Sequence, residues 1–313
     1  MTAYIIRRLL ATIPVMIVVA VFVFFLLRLA PGDPAAIIAG EDATAEAIAA
    51  VRAKLGLDRP VLEQFVLWLS GLAHGDFGVS IFSNLPVTHL IAQRIEPTLA
   101  LTVSTLIVAV SLAIPMGVVA AWKARGLVDR AVMAFAVMGF ALPVFLVGYV
   151  LIFIFAIQLG WLPVQGYSPI REGFLPFLAS LVLPSMALGT AYVALIARIT
   201  RASMLEVLSQ DYIRTANSKG LTTRRVLMLH ALKNASVPIV TVIGIGIALL
   251  ISGVVITETV FNIPGLGRLT VDAVLKRDYP IVQGLIIVFA GAKVLVNLLI
   301  DISYAFLDPR IRY

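Results

Sequence analysis

Cysteine is absent from this 313-residue chain, which excludes a disulfide framework, a thiolate nucleophile and any cysteine metal site. Histidine is scarce. His74, His89 and His230 stand far apart in sequence, so no ligand spacing is present and no metal site is expected. Charge is scarce too: 13% of residues are charged and 61% are apolar, whereas soluble domains hold about a quarter and about half. With a mean hydropathy of +1.04, the chain reads as an integral membrane protein, since no soluble core of this length needs so much hydrocarbon. The patterns GxxxxGK(S/T), HExxH and GxSxG are also missing, and no catalytic residue is assigned. The net charge of +7 raises nucleic acid as a partner, but its distribution follows membrane topology, so no nucleic-acid partner is expected.

What is present is a set of long uncharged runs. Leu9 to Leu27, 19 residues after Arg7 and Arg8, is long enough to cross about 30 Å of hydrocarbon. It exceeds a signal-peptide core and no small-x-small cleavage site follows, so it is read as a retained span with Arg28 snorkelling at its end. Further spans are expected at Thr98 to Trp122, Ala131 to Leu159, Phe174 to Ala197, Val237 to Thr257 and Ile281 to Tyr304. Pro115, Pro143 and Pro184 lie inside three of them and, with Gly244, Gly246 and Gly253, suit kinked or closely packed helices. Between the first two spans, LLRLAPGDP forces a turn, and Thr44 to Leu55 and Val61 to Leu72 suit surface helices. The expected organisation is a transmembrane helix at 1–30, an external subdomain on the membrane surface at 31–97, a transmembrane core at 98–304 and a tail at 305–313.

Charge orients the spans. The N-terminus, the 123–130 loop, the 198–236 loop and the tail carry 14 basic residues against 4 acidic. The loops at 33–96, 160–173 and 259–280 carry 8 basic against 11 acidic. The positive-inside rule therefore puts both termini and the 198–236 loop in the cytoplasm.

Within that loop, Asp211 to Pro238 reads DYIRTANSKGLTTRRVLMLHALKNASVP, an amphipathic interruption with five cations. Asp211 to Lys219 suits a short helix ended by Gly220 in the left-handed conformation, with Leu221 placed for the accompanying apolar contact. Thr222 or Thr223 then caps a second helix. Such a helix–glycine–helix elbow is shaped to be gripped; basic loops of this kind also enforce topology or meet anionic lipid. At about 38 residues it is too short for a nucleotide-binding domain, so any ATP is bound by another chain.

LLRLAPGDP, DYIRTANSKGL, HALKNA and ETVFNIPGLGRLTVDAVLKRDYP occur in an order that resembles the B-type permease of peptide ABC importers, the dipeptide/oligopeptide/nickel permease family. The resemblance covers nearly the whole chain. It implies an all-α polytopic membrane protein with six transmembrane helices, the type I ABC importer permease fold, and a bacterial plasma (inner) membrane location. It also implies a second related permease subunit, two ATP-binding subunits carrying ATP and Mg, an external substrate-binding protein and no enzymatic activity or cofactor in this chain. Importers of this kind carry a cytoplasmic signature, EAA, three residues, Gly and later I-x-L-P. Here Gly220 and Ala216 match, Arg214 and Thr215 replace the glutamate and first alanine, His230 and Lys233 replace the isoleucine and proline, and Leu232 is kept.

The resemblance makes 199–236 the segment that couples to the ATPase, with Asp211, Arg214, Thr215, Ala216, Lys219, Gly220, Leu221, Arg224 and Arg225 as its candidate residues. Ala216 and Gly220 are read as small enough for close approach of the partner, and the cations as pairing with acidic groups at its rim. Elsewhere, Lys293, Asn297 and Asp301 share one face of the sixth span, lining a pathway or forming a structural polar stripe. Glu258 is a candidate outer gate residue, or pairs with Arg268 to hold its loop. The cargo expected is a di- or oligopeptide; nickel or glutathione within the same family, and an ion-coupled carrier outside it, are the alternatives.

Overall fold

The structure is a computed structural model; it describes residues 2–29, 34–39, 43–54 and 56–307. Ala30 to Asp33 of the LLRLAPGDP turn and the tail from Asp308 lie outside the described residues, as do the side chains of Arg7, Arg8, Arg28 and Asp301.

Backbone amides in hydrocarbon have no water to bond, so spanning segments are driven into helices. The described residues accordingly hold no strand, only an isolated bridge between Val79 and Pro86. The chain order is α1 (Thr2–Leu29), α2 (Pro34–Ala39), α3 (Ala45–Lys54), α4 (Val61–Ala73), α5 (Val87–Trp122), α6 (Leu127–Ala141) and α7 (Val144–Leu151), which continues as a wider π turn, Ile152–Gln158. Then follow α8 (Phe174–Leu208), α9 (Asp211–Ser218), α10 (Thr223–Arg225), α11 (Leu232–Asn234), α12 (Ser236–Val260), α13 (Leu266–Lys276) and α14 (Tyr279–Leu307).

Two compact units result. One is built on Glu96–Arg268 with segments from both chain ends; the other comprises Ile6–Ile95 and Leu269–Val294. In the second unit, the Thr44 hydroxyl accepts the Ala47 amide and so caps α3. A buried Asp278 accepts from the Ser80 hydroxyl at 2.6 Å and the Ile81 amide at 3.3 Å, which pins the turn before α5.

In the first unit α8 is the central helix, touched by α6, α7 and α12. Small residues let it be approached closely. A Cβ on Gly117 of α5 would sit 2.5 Å from the Thr200 Cβ of α8, and one on Gly139 of α6 would sit 3.0 Å from Thr190. Ser104 of α5 and Ser185 of α8 share a hydroxyl–hydroxyl bond of 2.6 Å. Such contacts hold helices together where lipid gives no hydrophobic drive between them. Gly244 and Gly246 act likewise, against Ile300 and Tyr192; the surroundings of Gly253 are not among those described.

The third span breaks at one of the prolines read as suiting a kink: α6 and α7 meet at 107°. Pro143 has no amide to donate and pushes Leu142 into extended backbone (φ −81°, ψ 130°), so the helix cannot run through. The helix of the fourth span runs on past Ala197, through Arg198, Arg201 and Glu206 to Leu208. Those charges mark the edge of the apolar run without breaking the helix. Finally, the 259–280 segment contains α13, whose Leu266, Leu269 and Ala273 are buried.

The α5–α8 contact yields a test. Gly117→Ala puts a methyl where the Ala197 carbonyl and Thr200 already stand, and is expected to cost about 1–3 kcal/mol. A thermal melt of the purified protein in detergent should show the drop, while Gly291→Ala, where an added Cβ meets nothing within 4 Å, should not.

Candidate functional site

The elbow is a folded object. Helix α9 ends in a Schellman arrangement: the Gly220 amide bonds the Asn217 carbonyl at 2.9 Å and the Leu221 amide bonds the Ala216 carbonyl at 3.3 Å. Gly220 has φ +75°, and an added Cβ there would meet nothing within 4 Å, so backbone conformation alone demands glycine. Thr222 takes the extended cap position before α10, but no side-chain capping bond forms. The second helix is then widened by a π turn at Val226–Ala231 before α11 and α12 resume the regular spacing.

The inner side of the elbow packs on an apolar base. Ile213, Ala216, Val226, Leu227 and Ala231 join Val118 and Ala121 of α5, Met204 of α8 and Ile239 of α12 in one buried cluster, with Leu221 half-buried at its edge. Ala216, expected on the face offered to a partner, is 7% exposed and points into this base. Its small size lets α9 settle on the protein's own helices, which leaves it no surface for another chain.

The outer side presents the rest. Asp211, Arg214, Thr215, Lys219, Gly220, Arg224 and Arg225 are all exposed. Arg214 reaches Asp211 at 3.4 Å on that open face; such a pair contributes little. Tyr212, Met228 and Leu229 are also exposed beside these cations. Those three escaped the sequence reading because they look like ordinary helix residues; their alternation with Ile213, Val226 and Leu227 was the available signal.

A second feature was missed outright. Asp129, at the start of α6, is 5% exposed by side chain and receives both arms of Arg201 of α8, Nε at 2.5 Å and Nη2 at 2.7 Å. The Arg125 amide adds a bond of 2.8 Å. This planar two-point pairing ties the 123–130 loop to the segment of α8 that leads into the elbow. The Arg201 hydrogen bonds hold the Asp129 carboxyl below its ordinary 3.8, against the opposing effect of burial. The two residues lie 72 positions apart, so no local pattern links them.

At the opposite end of the same unit, Glu258 closes α12 and is fully buried. Its carboxylate accepts from the Thr98 hydroxyl of α5 at 2.6 Å and from the Arg268 backbone amide at 2.9 Å. Thr98 in turn accepts the Leu266 amide at 2.8 Å. The FNIPGLG loop wraps this carboxylate so closely that a Cβ on Gly265 would lie 2.0 Å from Oε1. The Arg268 guanidinium turns instead to the Asn262 side chain. Glu258 thus holds the loop through the Arg268 main chain. Nearby, the Gly166 amide and the Gln165 side chain bond the Phe261 and Val260 carbonyls, and Tyr167 donates to Glu96 at 3.0 Å. Burial, with Glu96 beside it, raises the Tyr167 hydroxyl well above its usual range.

On α14, Lys293 and Asn297 are both exposed and share a face; the side chain of Asp301 lies outside those described. The elbow offers an exposed face of cations and apolar side chains, and the charge fork and the carboxylate clamp are two fastenings.

Comparison with known proteins gives a consistent picture. Residues 113–313 match the family described as "Binding-protein-dependent transport system inner membrane component". Residues 1–102 match "Binding-prot-dependent transport system membrane comp, N-term". The chain is similar to the "Probable peptide ABC transporter permease protein y4tP" of Sinorhizobium fredii (strain NBRC 101917 / NGR234), 55% identical over all of both chains. It is 44% identical to the "Glutathione transport system permease protein GsiC" of Escherichia coli (strain K12), again over all of both. In fold it is similar to a chain of a structure described as "Inward facing conformations of the MetNI methionine ABC transporter", with a TM-score of 0.59 at 17% identity, over 70% of this chain and 96% of that one.

Two outcomes follow from the geometry. Asp129→Ala leaves a half-buried guanidinium without its partner and is expected to cost about 1–3 kcal/mol, much of it recovered in Asp129→Ala/Arg201→Met. A carboxyl held low by folding contributes its full stability above 3.8 and loses it as pH falls below that value, so melts into that acid range should steepen for the parent and flatten for Asp129→Ala. At the elbow, Gly220→Ala is expected to cost about 1–2 kcal/mol through backbone strain alone, and Gly220→Asn less, both measured by melting.

Proposed function

This chain belongs to the family of binding-protein-dependent transport system inner membrane components, and from that premise we propose that it is a permease subunit importing short peptides, coupled to separate ATPase subunits through the elbow at 209–235. The observation that carries the coupling role is the elbow itself. One side of it is locked onto α5, α8 and α12 through buried Ile213, Ala216 and Val226, and the other offers Tyr212, Met228 and Leu229 among exposed cations. An apolar anchor ringed by charge is what a helix seated in a partner's groove requires.

In this reading the positive-inside count places the elbow and both chain ends in the cytoplasm. The chain forms half of the translocation path beside a second, related permease, above two ATPase subunits that hold ATP and Mg. The 33–96 segment and the loops at 160–173 and 259–280 face an external substrate-binding protein. Nucleotide binding favours one arrangement of the ATPase pair, and differential affinity of this kind is what shifts a conformational population. The elbow passes that shift to α8 and α12, the helices it is packed against. This chain performs no phosphoryl chemistry. The cargo follows the relatives that match over their full length; glutathione, itself a tripeptide, is the second cargo, in keeping with the GsiC similarity.

Co-purification in mild detergent tests the coupling role. Tagged parent protein is expected to retain its ATPase subunits, and Tyr212→Ala combined with Arg224→Glu and Arg225→Glu to lose them by about tenfold or more. Equal retention by a folded variant would remove the elbow from the interface.

A further inference from the structure

Helix α4 (Val61–Ala73) is apolar yet none of its residues is buried. Two of its aromatic side chains seat on α1. Phe65 lies edge-on to Phe24 with ring centroids 5.0 Å apart, Trp68 lies 5.5 Å from Phe24, and Phe65 stacks on Phe25 at 6.5 Å. Phe24 and Phe25 belong to the uncharged run Leu9 to Leu27, so α4 is held at the level of hydrocarbon, at the C-terminal end of α1.

The next flank of α4 around its axis is a stripe of Leu62, Val66 and Leu69, at i, i+4 and i+7. These are 74%, 56% and 36% exposed. On α1, Phe22 and Phe25 are exposed as well. The far flank carries its polar groups around Leu67, which is 51% exposed. Glu63 pairs with Arg59 there at 3.1 Å, Ser70 is exposed, and Gln64 folds back on the Leu57 and Arg59 carbonyls.

We propose that α4 is an interfacial membrane helix, with Leu62, Val66 and Leu69 embedded in the acyl chains of the leaflet at the C-terminal end of α1, and Glu63 and Ser70 turned to the headgroups. The apolar flank continues the lipid-facing surface of α1, and the Arg59–Glu63 pair and Ser70 set the polar limit of insertion. A helix with one apolar and one polar flank lies in the interface plane in this way, with its apolar face about 5–10 Å below the headgroup boundary. The segment between the first two spans is therefore part of the membrane-bound structure along α4. It anchors the turn that precedes α5 against the bilayer. This inference requires only that α1 crosses the membrane, and stands apart from the cargo and the ATPase contact.

The absence of cysteine makes the test direct. Single-cysteine variants at 62, 63, 66, 69 and 70 carry a nitroxide label in the assembled transporter in phospholipid vesicles. Collisions are measured with oxygen, which concentrates in acyl chains, and with a water-soluble nickel chelate. Labels at 62, 66 and 69 are expected to be several-fold more accessible to oxygen than to the chelate, and those at 63 and 70 the reverse. Chelate access at 62, 66 and 69 equal to that at 63 and 70 would put α4 in water and overturn the proposal. Shielding of 62, 66 and 69 from both reagents would overturn it too, since a protein surface would then cover the stripe. The readout is independent of transport, so failure here and failure of the importer reading are distinguishable.

Discussion

Close approach of helices to α8 is the constraint on which the larger unit depends. Lipid chains are as apolar as leucine, so burial alone gives no reason for α5, α6, α7 and α12 to gather around one helix. Contact at short range supplies that reason. Gly117 and Gly139 remove the side chains that would hold α5 and α6 away, and the Ser104–Ser185 bond adds a directional link inside hydrocarbon. The apolar cluster around Leu181, Leu183 and Leu188 then fills the space between α8, α7 and the end of α12.

From that spine the two ends of the unit are fastened by different physics. At the elbow end, dispersion and burial dominate: Ile213, Ala216, Val226 and Leu227 seat on helix ends already held by α8. The Asp129–Arg201 fork adds a charged brace whose direct geometry compensates for partial desolvation. At the other end the fastening is a carboxylate. Glu258 collects a hydroxyl and a main-chain amide, and glycines at 265 and 267 let the loop close over it. Both ends thus pack on α8 and α12.

Large parts of this were legible in the residues. Uncharged runs gave the spans because the length of hydrocarbon to be crossed is known in advance, and Gly220 announced the elbow because few residues other than glycine favour its left-handed backbone. The helix ends were less legible. Arg198 and Arg201 look like the end of a span, yet α8 runs on to Leu208, because a charge ends burial in lipid without ending hydrogen bonding along the helix. The fork itself was illegible. Asp129 and Arg201 each sit in a loop-like charged stretch, and only folding brings them within 2.5 Å.

By itself the sequence determined the class of the protein, the number and placement of its apolar runs, the turn at Gly220 and the family to which it belongs. Each of those depends on local composition, on single-residue backbone preference or on motifs in order. The tertiary structure decided which side of each amphipathic piece is spent on the protein's own core. It turned Ala216 inward and Tyr212 outward, paired Asp129 with Arg201, and brought Thr98 to the Glu258 carboxylate. Those outcomes depend on contacts between residues far apart in the chain, and helical periodicity fixes the spacing of faces without saying what each face will meet.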